Sequence, residues 1–371
     1  MKNTATTKVI KGIAEMRRFS LEARKRGAKV ALVPTMGALH DGHLALVRAA
    51  RKRADAVVVS IFVNPLQFGP REDLSSYPRD LAGDLAKLQQ LGVAAVFTPE
   101  AAEMFPAGSR THVEVEDLSG RLCGRARPTH FRGVATVVAK LFAVVQPHHA
   151  WFGQKDYQQL LIVRKMARDL ILDVEVFDVP TVRDADGLAL SSRNAYLTPE
   201  QRPTALSLQH ALQVARRIIA KGERSAAKIL SNLREVIRAQ AGADVEYIAI
   251  CHPETLHDLE AVEMRTLVAL AVRVGRARLI DNALIDLREL GQRPEAQKPA
   301  AKPAAGAPVA ATQKPAAKPA SAAKPAVKTP AKPLAKTAAK APSKPAAKAP
   351  GKTAAKAPAK AGAAGNKAAR R

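Results

Sequence analysis

One stretch constrains the fold more than any other. An apolar run, Val30-Ala31-Leu32-Val33, leads into Pro34-Thr35-Met36-Gly37-Ala38-Leu39-His40-Asp41-Gly42-His43, after which Leu44, Val47 and Ala50 fall at helical spacing. A second run, Ala56-Val57-Val58-Val59-Ser60-Ile61-Phe62-Val63, follows directly. Strand, helix and strand within about 35 residues make a βαβ unit, which requires a parallel sheet and a right-handed crossover. Apolar residues at successive positions of both runs, broken only by Ser60, predict a sheet covered on both faces. Arg48, Arg51, Lys52 and Arg53 crowd the far end of the helix, where positive charge meets the negative end of its dipole. The motif is therefore a strand-to-helix loop. Gly37 and Gly42 let backbone approach a ligand, and the helix N-terminus offers free N–H groups to a phosphate. His40 and His43 stand at that end, spaced to face the same phosphate.

The rest of the chain extends this α/β pattern. Ile13, Met16 and Phe19 give one side of a helix that Gly27 ends. Leu81, Leu85, Leu88 and Leu91 predict a helix over 77–91, followed by a strand at 92–97. Residues 98–132 are polar and irregular, 133–145 helical, and 150–152 a short strand; a strand at 174–179 closes the sheet. Residues 180–187 read as a hinge. Thr198-Pro199-Glu200-Gln201 then starts a helix with an N-cap, a first-turn proline and a capping-box glutamine. Helices over 199–221 and 224–241 and β-type runs at 245–250, 266–274 and 276–285 predict a compact α+β unit. The divisions expected are a parallel-sheet domain over 1–184, a smaller lid domain over 185–291 and a tail over 292–371.

Charge separates the tail from the body. Of the net charge of +26, fifteen lysines and two arginines, with no acid, lie from Gln297 onward, leaving +9 before it. Lysine recurs at every fourth position from Lys324 to Lys360, among alanines and prolines, without an aromatic residue. Such a segment cannot bury enough apolar area to fold alone and is expected to be disordered. Its lysines can displace counterions from a DNA or RNA backbone, or simply keep the chain solvated. Two cysteines, Cys123 and Cys251, argue against a disulfide framework. The chain has no 18-residue apolar run and no signal-peptide core, so a cytoplasmic protein without membrane contact is expected.

Further candidates lie where strands end. Asn64 and Gln67, after the second strand, either read a polar substrate or cap a Pro-Gly loop. Arg121, Arg125, Arg127, His130 and Arg132 form a cationic cluster, able to meet phosphate or carboxylate or simply solvated. Gly153-Gln154-Lys155-Asp156 repeats the glycine-and-charge pattern; Lys155 suits an anion, while Asp156 can orient it, help hold a metal or cap the next helix. Leu190-Ser191-Ser192-Arg193 offers two hydroxyls and a guanidinium, either a phosphate clamp or a polar turn.

Taken together, residues 34–43, 62–68, 130–141, 152–159 and 190–194 resemble the pantothenate synthetase (pantoate–β-alanine ligase) family over roughly residues 8–289. The resemblance implies a Rossmann-like domain with a smaller C-terminal lid, a homodimer, and ATP, Mg²⁺, pantoate and β-alanine as ligands. It implies reaction through a pantoyl adenylate, with release of pyrophosphate and then AMP. By the same resemblance His43, His40, Lys155 and Arg193 are catalytic, with His43 the presumed proton donor. ATP would contact Met36, Gly37, Ala38, Leu39, His40, Asp41, Gly42 and His43 of the first motif. It would also contact Gly153, Gln154, Lys155, Asp156, Val182, Leu190, Ser191, Ser192 and Arg193. Gln67 and Gln159 would hold pantoate, Gln67 would also guide β-alanine, and Asp84 would bind the metal. Two alternatives stand beside this reading: another His-x-Gly-His nucleotidyltransferase, and a nucleic-acid-binding protein acting through its tail.

Overall fold

The computed structural model describes residues 7–70 and 72–291. The basic tail lies outside the described residues. Six strands, β1 (Lys8–Ile10), β2 (Val30–Thr35), β3 (Ala56–Ile61), β4 (Ala95–Phe97), β5 (His149–Gly153) and β6 (Glu175–Val179), pair in the order β1-β4-β3-β2-β5-β6. Every pairing is parallel. From β2 the chain steps outward to β3 and β4, then returns to lay β5 on the other side of β2. The sheet therefore changes direction between β2 and β5, and a crevice opens beyond their C-terminal ends.

The apolar runs are explained by two-sided burial. Val30 and Leu32 of β2 and Val58 of β3 pack with α1 (Ile13–Lys25) on one face. Ala31, Val33, Val57 and Val59 pack on the other face with α2 (Asp41–Arg51) and α3 (Leu81–Gln90). Two single-turn helices, α4 (Ala101–Met104) and α5 (Cys123–Ala126), punctuate the stretch expected to be irregular. They are followed by α6 (His130–Val145) and α7 (Tyr157–Asp169), which return to the first face.

Several boundaries differ from the sequence reading: α6 opens at His130, inside the stretch expected to be irregular, β4 holds only Ala95–Phe97, and the helix expected from 199 begins at Arg202. Strand β1 has two exposed residues of three, so no apolar pattern announces it; pairing with β4 defines it. Helix α3 starts at Leu81 rather than at 77, because the Asp80 side chain accepts the Gly83 N–H at 2.9 Å and fixes the first turn there.

After β6 the chain builds the expected smaller α+β unit. Thr198 N–H donates to Gln201 Oε1 at 3.2 Å, the capping contact that its motif predicts. Helices α8 (Arg202–Ala220) and α9 (Ala226–Arg238) lie on an antiparallel sheet of β7 (Ala243–Cys251), β8 (Arg265–Val274) and β9 (Ala277–Asp286), with β8 central. Ile248, Ile250, Val268 and Leu270 face the helices. The alternate residues Ala249, Cys251, Leu267 and Ala269 join the apolar cluster that also contains α6 and α7. The small sheet is thus buried on both faces, and its central strand is buried at seven consecutive positions.

Candidate active site

The first motif is held in place from beneath. β2 ends at Thr35, whose Oγ1 donates to Ser60 O at 2.7 Å and accepts from Gly37 N–H at 3.3 Å. Gly37 has φ +85°, and a Cβ there would stand 3.0 Å from Ile61 Cγ2, so the turn favours glycine on both counts. Leu39 N–H donates to Asp84 Oδ1 at 2.7 Å, and Lys87 Nζ donates to Leu39 O at 2.8 Å. Both side chains come from α3.

His40 then caps α2. Its Nδ1 accepts the Gly42 N–H at 3.2 Å, while His43 Nδ1 accepts the His40 N–H at 3.4 Å; the ring centroids are 4.1 Å apart. With both Nδ1 atoms accepting, the network assigns each ring the Nε2–H tautomer. Burial, then the Lys155 charge, lowers His40 to about 4. Burial, followed by His40 and Lys155, lowers His43 to about 3. Both rings are neutral at pH 7 and offer N–H donors rather than positive charge.

These rings line a cavity of about 1030 Å³ reached by the ends of β2, β3, β5 and β6. Met36, Gly42, Gly153, Lys155 and Asp156 line it from the first and fourth motifs. Gln67, Gln159, Val182, Leu190, Ser191, Ser192 and Arg193 complete the convergence. Ser192 Oγ donates to Ala38 O at 3.1 Å, joining the serine-arginine turn to the first motif. Gln67 is held by its surroundings: Oε1 accepts from Asn64 Nδ2 at 3.0 Å. Its carbonyl lies 2.8 Å from His130 Nδ1 and accepts from Arg127 at 3.0 Å. Burial, with the Arg127 charge next, lowers His130 to about 3, so this third ring is also neutral at pH 7.

Several expected contacts fall elsewhere. Gly37, Ala38 and Leu39 support the loop without lining the cavity, and the Asp41 side chain is 71% exposed beside Arg48. Gln154 turns its amide to Asp178. Asp84, expected as a metal ligand, does not line the cavity; its side chain is 1% exposed and occupied with the Leu39 amide, 3.9 Å from Lys87 Nζ. Among the described residues no three His, Cys, Asp or Glu side chains are grouped to hold a metal ion. The cationic cluster is also largely committed. Arg121 pairs with Asp117, Arg125 with Asp258 and Arg127 with Glu72.

Sequence reasoning missed the partners of the cavity's arginines and the contribution of the small unit. Arg193 makes two bonds to Asp73, at 3.1 and 2.9 Å, and Tyr196 OH donates to the same carboxylate at 3.2 Å. Glu246 and Arg278 form an ion pair in the wall, while Asp281 and Asn282 reach the cavity from β9. None carries a local motif; along β9, alternation sets Arg278 and Asn282 opposite the core positions Leu279, Ala283 and Ile285, while Asp73 and Asp281 leave no such signal.

The family model described as pantoate-beta-alanine ligase matches residues 8–284. The chain belongs to this family. Pantothenate synthetase of Moorella thermoacetica is 53% identical over 281 residues, covering 76% of this chain and 99% of its own length. That of Geobacter sulfurreducens is 50% identical over 278 residues, covering 75% and 98%. The crystal structure of pantothenate synthetase from Thermus thermophilus matches with a TM-score of 0.71 at 49% identity, covering 75% of this chain and 99% of that one. The Francisella tularensis ligase, solved with beta-gamma ATP and beta-alanine, matches with a TM-score of 0.63 at 32% identity, covering 75% and 98%.

Proposed function

We propose that the protein condenses pantoate with β-alanine at the expense of ATP through a pantoyl adenylate. The observation that carries this reading is the meeting of residues from five separated motifs around one cavity, in a chain of the ligase family. In the first step a pantoate carboxylate oxygen bonds to the α-phosphorus, the bond to the bridging oxygen breaks, and pyrophosphate leaves. In the second step the β-alanine amine bonds to the activated carbonyl, loses a proton, and AMP leaves. The acyl group is activated on the nucleotide, so no protein nucleophile is needed.

Anion attacking anion demands neutralised charge above all. Lys155 supplies it, and Arg193 does so when phosphate displaces Asp73. His40 and His43 donate their Nε2–H groups to phosphate oxygens, His43 from the place where the resemblance puts a proton donor. Ser191 and Ser192 add donors, and the backbone at Gly153 and Val182 packs along the nucleotide. Gln67 and Gln159 hold pantoate by its hydroxyls and carboxylate, and Gln67 guides β-alanine. The described residues do not fit a metal held by the protein alone, so Mg²⁺ arrives on the ATP phosphates.

The test is pantoate-dependent exchange of labelled pyrophosphate into ATP without β-alanine. Exchange only with pantoate is expected; a folded, ATP-binding protein that fails to exchange would belong with the other nucleotidyltransferases. A homodimer is part of the reading, checked by sedimentation, as is the cytoplasm, whose reducing conditions suit two buried, unpaired cysteines.

The lysine period favours a second reading for the tail: sequence-independent contact with DNA or RNA. Full-length protein should bind DNA with an affinity that falls steeply with salt, and deletion of residues 292–371 should abolish it. Binding kept by the truncated chain would move that site into the body.

A further inference from the structure

The turn that carries Lys155 has no side-chain cap, and of its own side chains Gln154 alone ties it to the sheet, through Asp178 of β6. It follows β5 as a single 3₁₀ turn, Gln154–Asp156, and neither Gly153 before it nor Asp156 before α7 supplies a side-chain cap. The brace on its backbone carbonyls comes from the small sheet, more than a hundred residues later. Asn282 Nδ2 donates to Gln154 O at 3.0 Å and to Lys155 O at 2.9 Å. One amide therefore uses its donor group on two successive carbonyls of the turn. The amide cannot flip without setting oxygen against both of those carbonyls, so its orientation is fixed.

Asn282 is itself anchored. Its backbone N–H donates to Asp281 Oδ1 at 2.8 Å, and Asp281, 3% exposed, accepts from Arg183 Nη1 and Nη2 at 2.7 and 2.9 Å. Arg183 Nη1 also donates to Gly187 O at 3.1 Å. Consecutive residues of β9 thus hold the linker leaving β6 and the turn leaving β5. The Lys155 side chain is 19% exposed, and its Nζ lies 3.8 Å from Asp156 Oδ2.

We propose that Asn282 is a positioning residue that fixes the Lys155 turn, so that the small unit sets where the lysine charge sits against the nucleotide phosphates. The inference rests on the role given to Lys155 above. A purely structural amide would satisfy the two carbonyls and do nothing else. The two roles separate in a double-mutant cycle, because an effect transmitted through Lys155 disappears when Lys155 is absent.

Full-length wild type, Asn282→Ala, Lys155→Ala and the double variant would be compared by pantoate-dependent pyrophosphate exchange and by calorimetric ATP affinity. The second readout needs no turnover. Misplacing a reacting group by about 1 Å costs on the order of 100-fold, so Asn282→Ala should lower the exchange kcat by roughly 10- to 100-fold. KM for pantoate should stay within about threefold, since this change does not touch the pantoate glutamines. In the Lys155→Ala background the same substitution should alter ATP affinity by less than about twofold. Equal losses in both backgrounds would overturn the proposal, as would an Asn282→Ala enzyme with wild-type kcat. Near-normal exchange by Lys155→Ala would instead overturn the role of Lys155, and the proposal with it; an inert Asn282 beside an essential Lys155 leaves that role standing. Isosteric Asn282→Asp, which sets carboxylate oxygen against both carbonyls, should match or exceed the loss in Asn282→Ala while keeping the wild-type circular dichroism. Recovery of wild-type kcat in Asn282→Asp would count against the proposal.

Discussion

Three histidines show how local burial decides chemistry. His40, His43 and His130 titrate at about 4, 3 and 3 in the folded protein, against 6.5 for an ordinary imidazole, chiefly through burial. Below pH 6.5 the unfolded chain takes up protons that the folded chain refuses. Stability is therefore complete above that pH and falls as pH drops toward the folded values. At pH 5 the loss is about 2 kcal/mol per histidine. Urea titrations should find the protein several kcal/mol less stable at pH 5 than at pH 7.5, and His130→Asn should flatten that dependence. His43→Ala, in turn, should reduce pantoate-dependent exchange by at least about 100-fold with an unchanged circular dichroism spectrum, as the loss of a donor to developing charge requires. That His40 and His43 meet at one cavity was legible in the sequence, since their motif stands at a strand-to-helix junction and the four other motifs also end there. Their charge state was not, because it depends on side chains brought in from Lys155 and from the sheet core.

At the scale of elements, the parallel strands and the loops at their ends were readable because two-sided burial writes itself as near-continuous apolar runs. Contacts between distant elements left no such trace. Gly133 in α6 illustrates this. A Cβ there would fall 2.4 Å from Leu66 O and 2.8 Å from Gln67 N, so the missing side chain lets the helix press against the turn that carries Gln67. Gly133→Ala should destabilise the protein by about 1–3 kcal/mol, measured by thermal melting, and raise KM for pantoate, because overpacking must displace that turn. Asp84 is another case. Its place in α3 suggested a ligand for metal, yet its carboxylate holds the Leu39 amide. Replacement by alanine should cost about 1–3 kcal/mol, the usual loss when a buried donor is left without a partner. The Mg²⁺ dependence of the exchange reaction should be unchanged.

The molecule as a whole was read best in its first part and least well in its second. The small unit looked like a cover with little chemistry because its useful residues, Glu246 on β7 and Arg278, Asp281 and Asn282 on β9, are interspersed among core positions of two strands. Its sheet also shares the apolar cluster of α6 and α7, so it is joined to the larger sheet rather than resting on it. Deletion of residues 292–371 should leave kcat and KM within about twofold of full length, since every residue lining the cavity lies upstream of the cut.

The pairing of arginines with carboxylates around the cavity has an outcome for how ligands compete with salt. Arg193 with Asp73, Arg127 with Glu72, and Arg278 with Glu246 make the wall a mosaic of neutral couples. A phosphate entering at Arg193 exchanges one anion for another, as on an ion-exchange resin already loaded with its counterion. Dissolved chloride finds little naked charge there to screen. Nucleotide affinity should accordingly drift only slightly as ionic strength rises, while any grip of the lysine-rich tail on a polyanion collapses over the same range. One chain would then carry two anion sites with opposite sensitivity to its ionic surroundings.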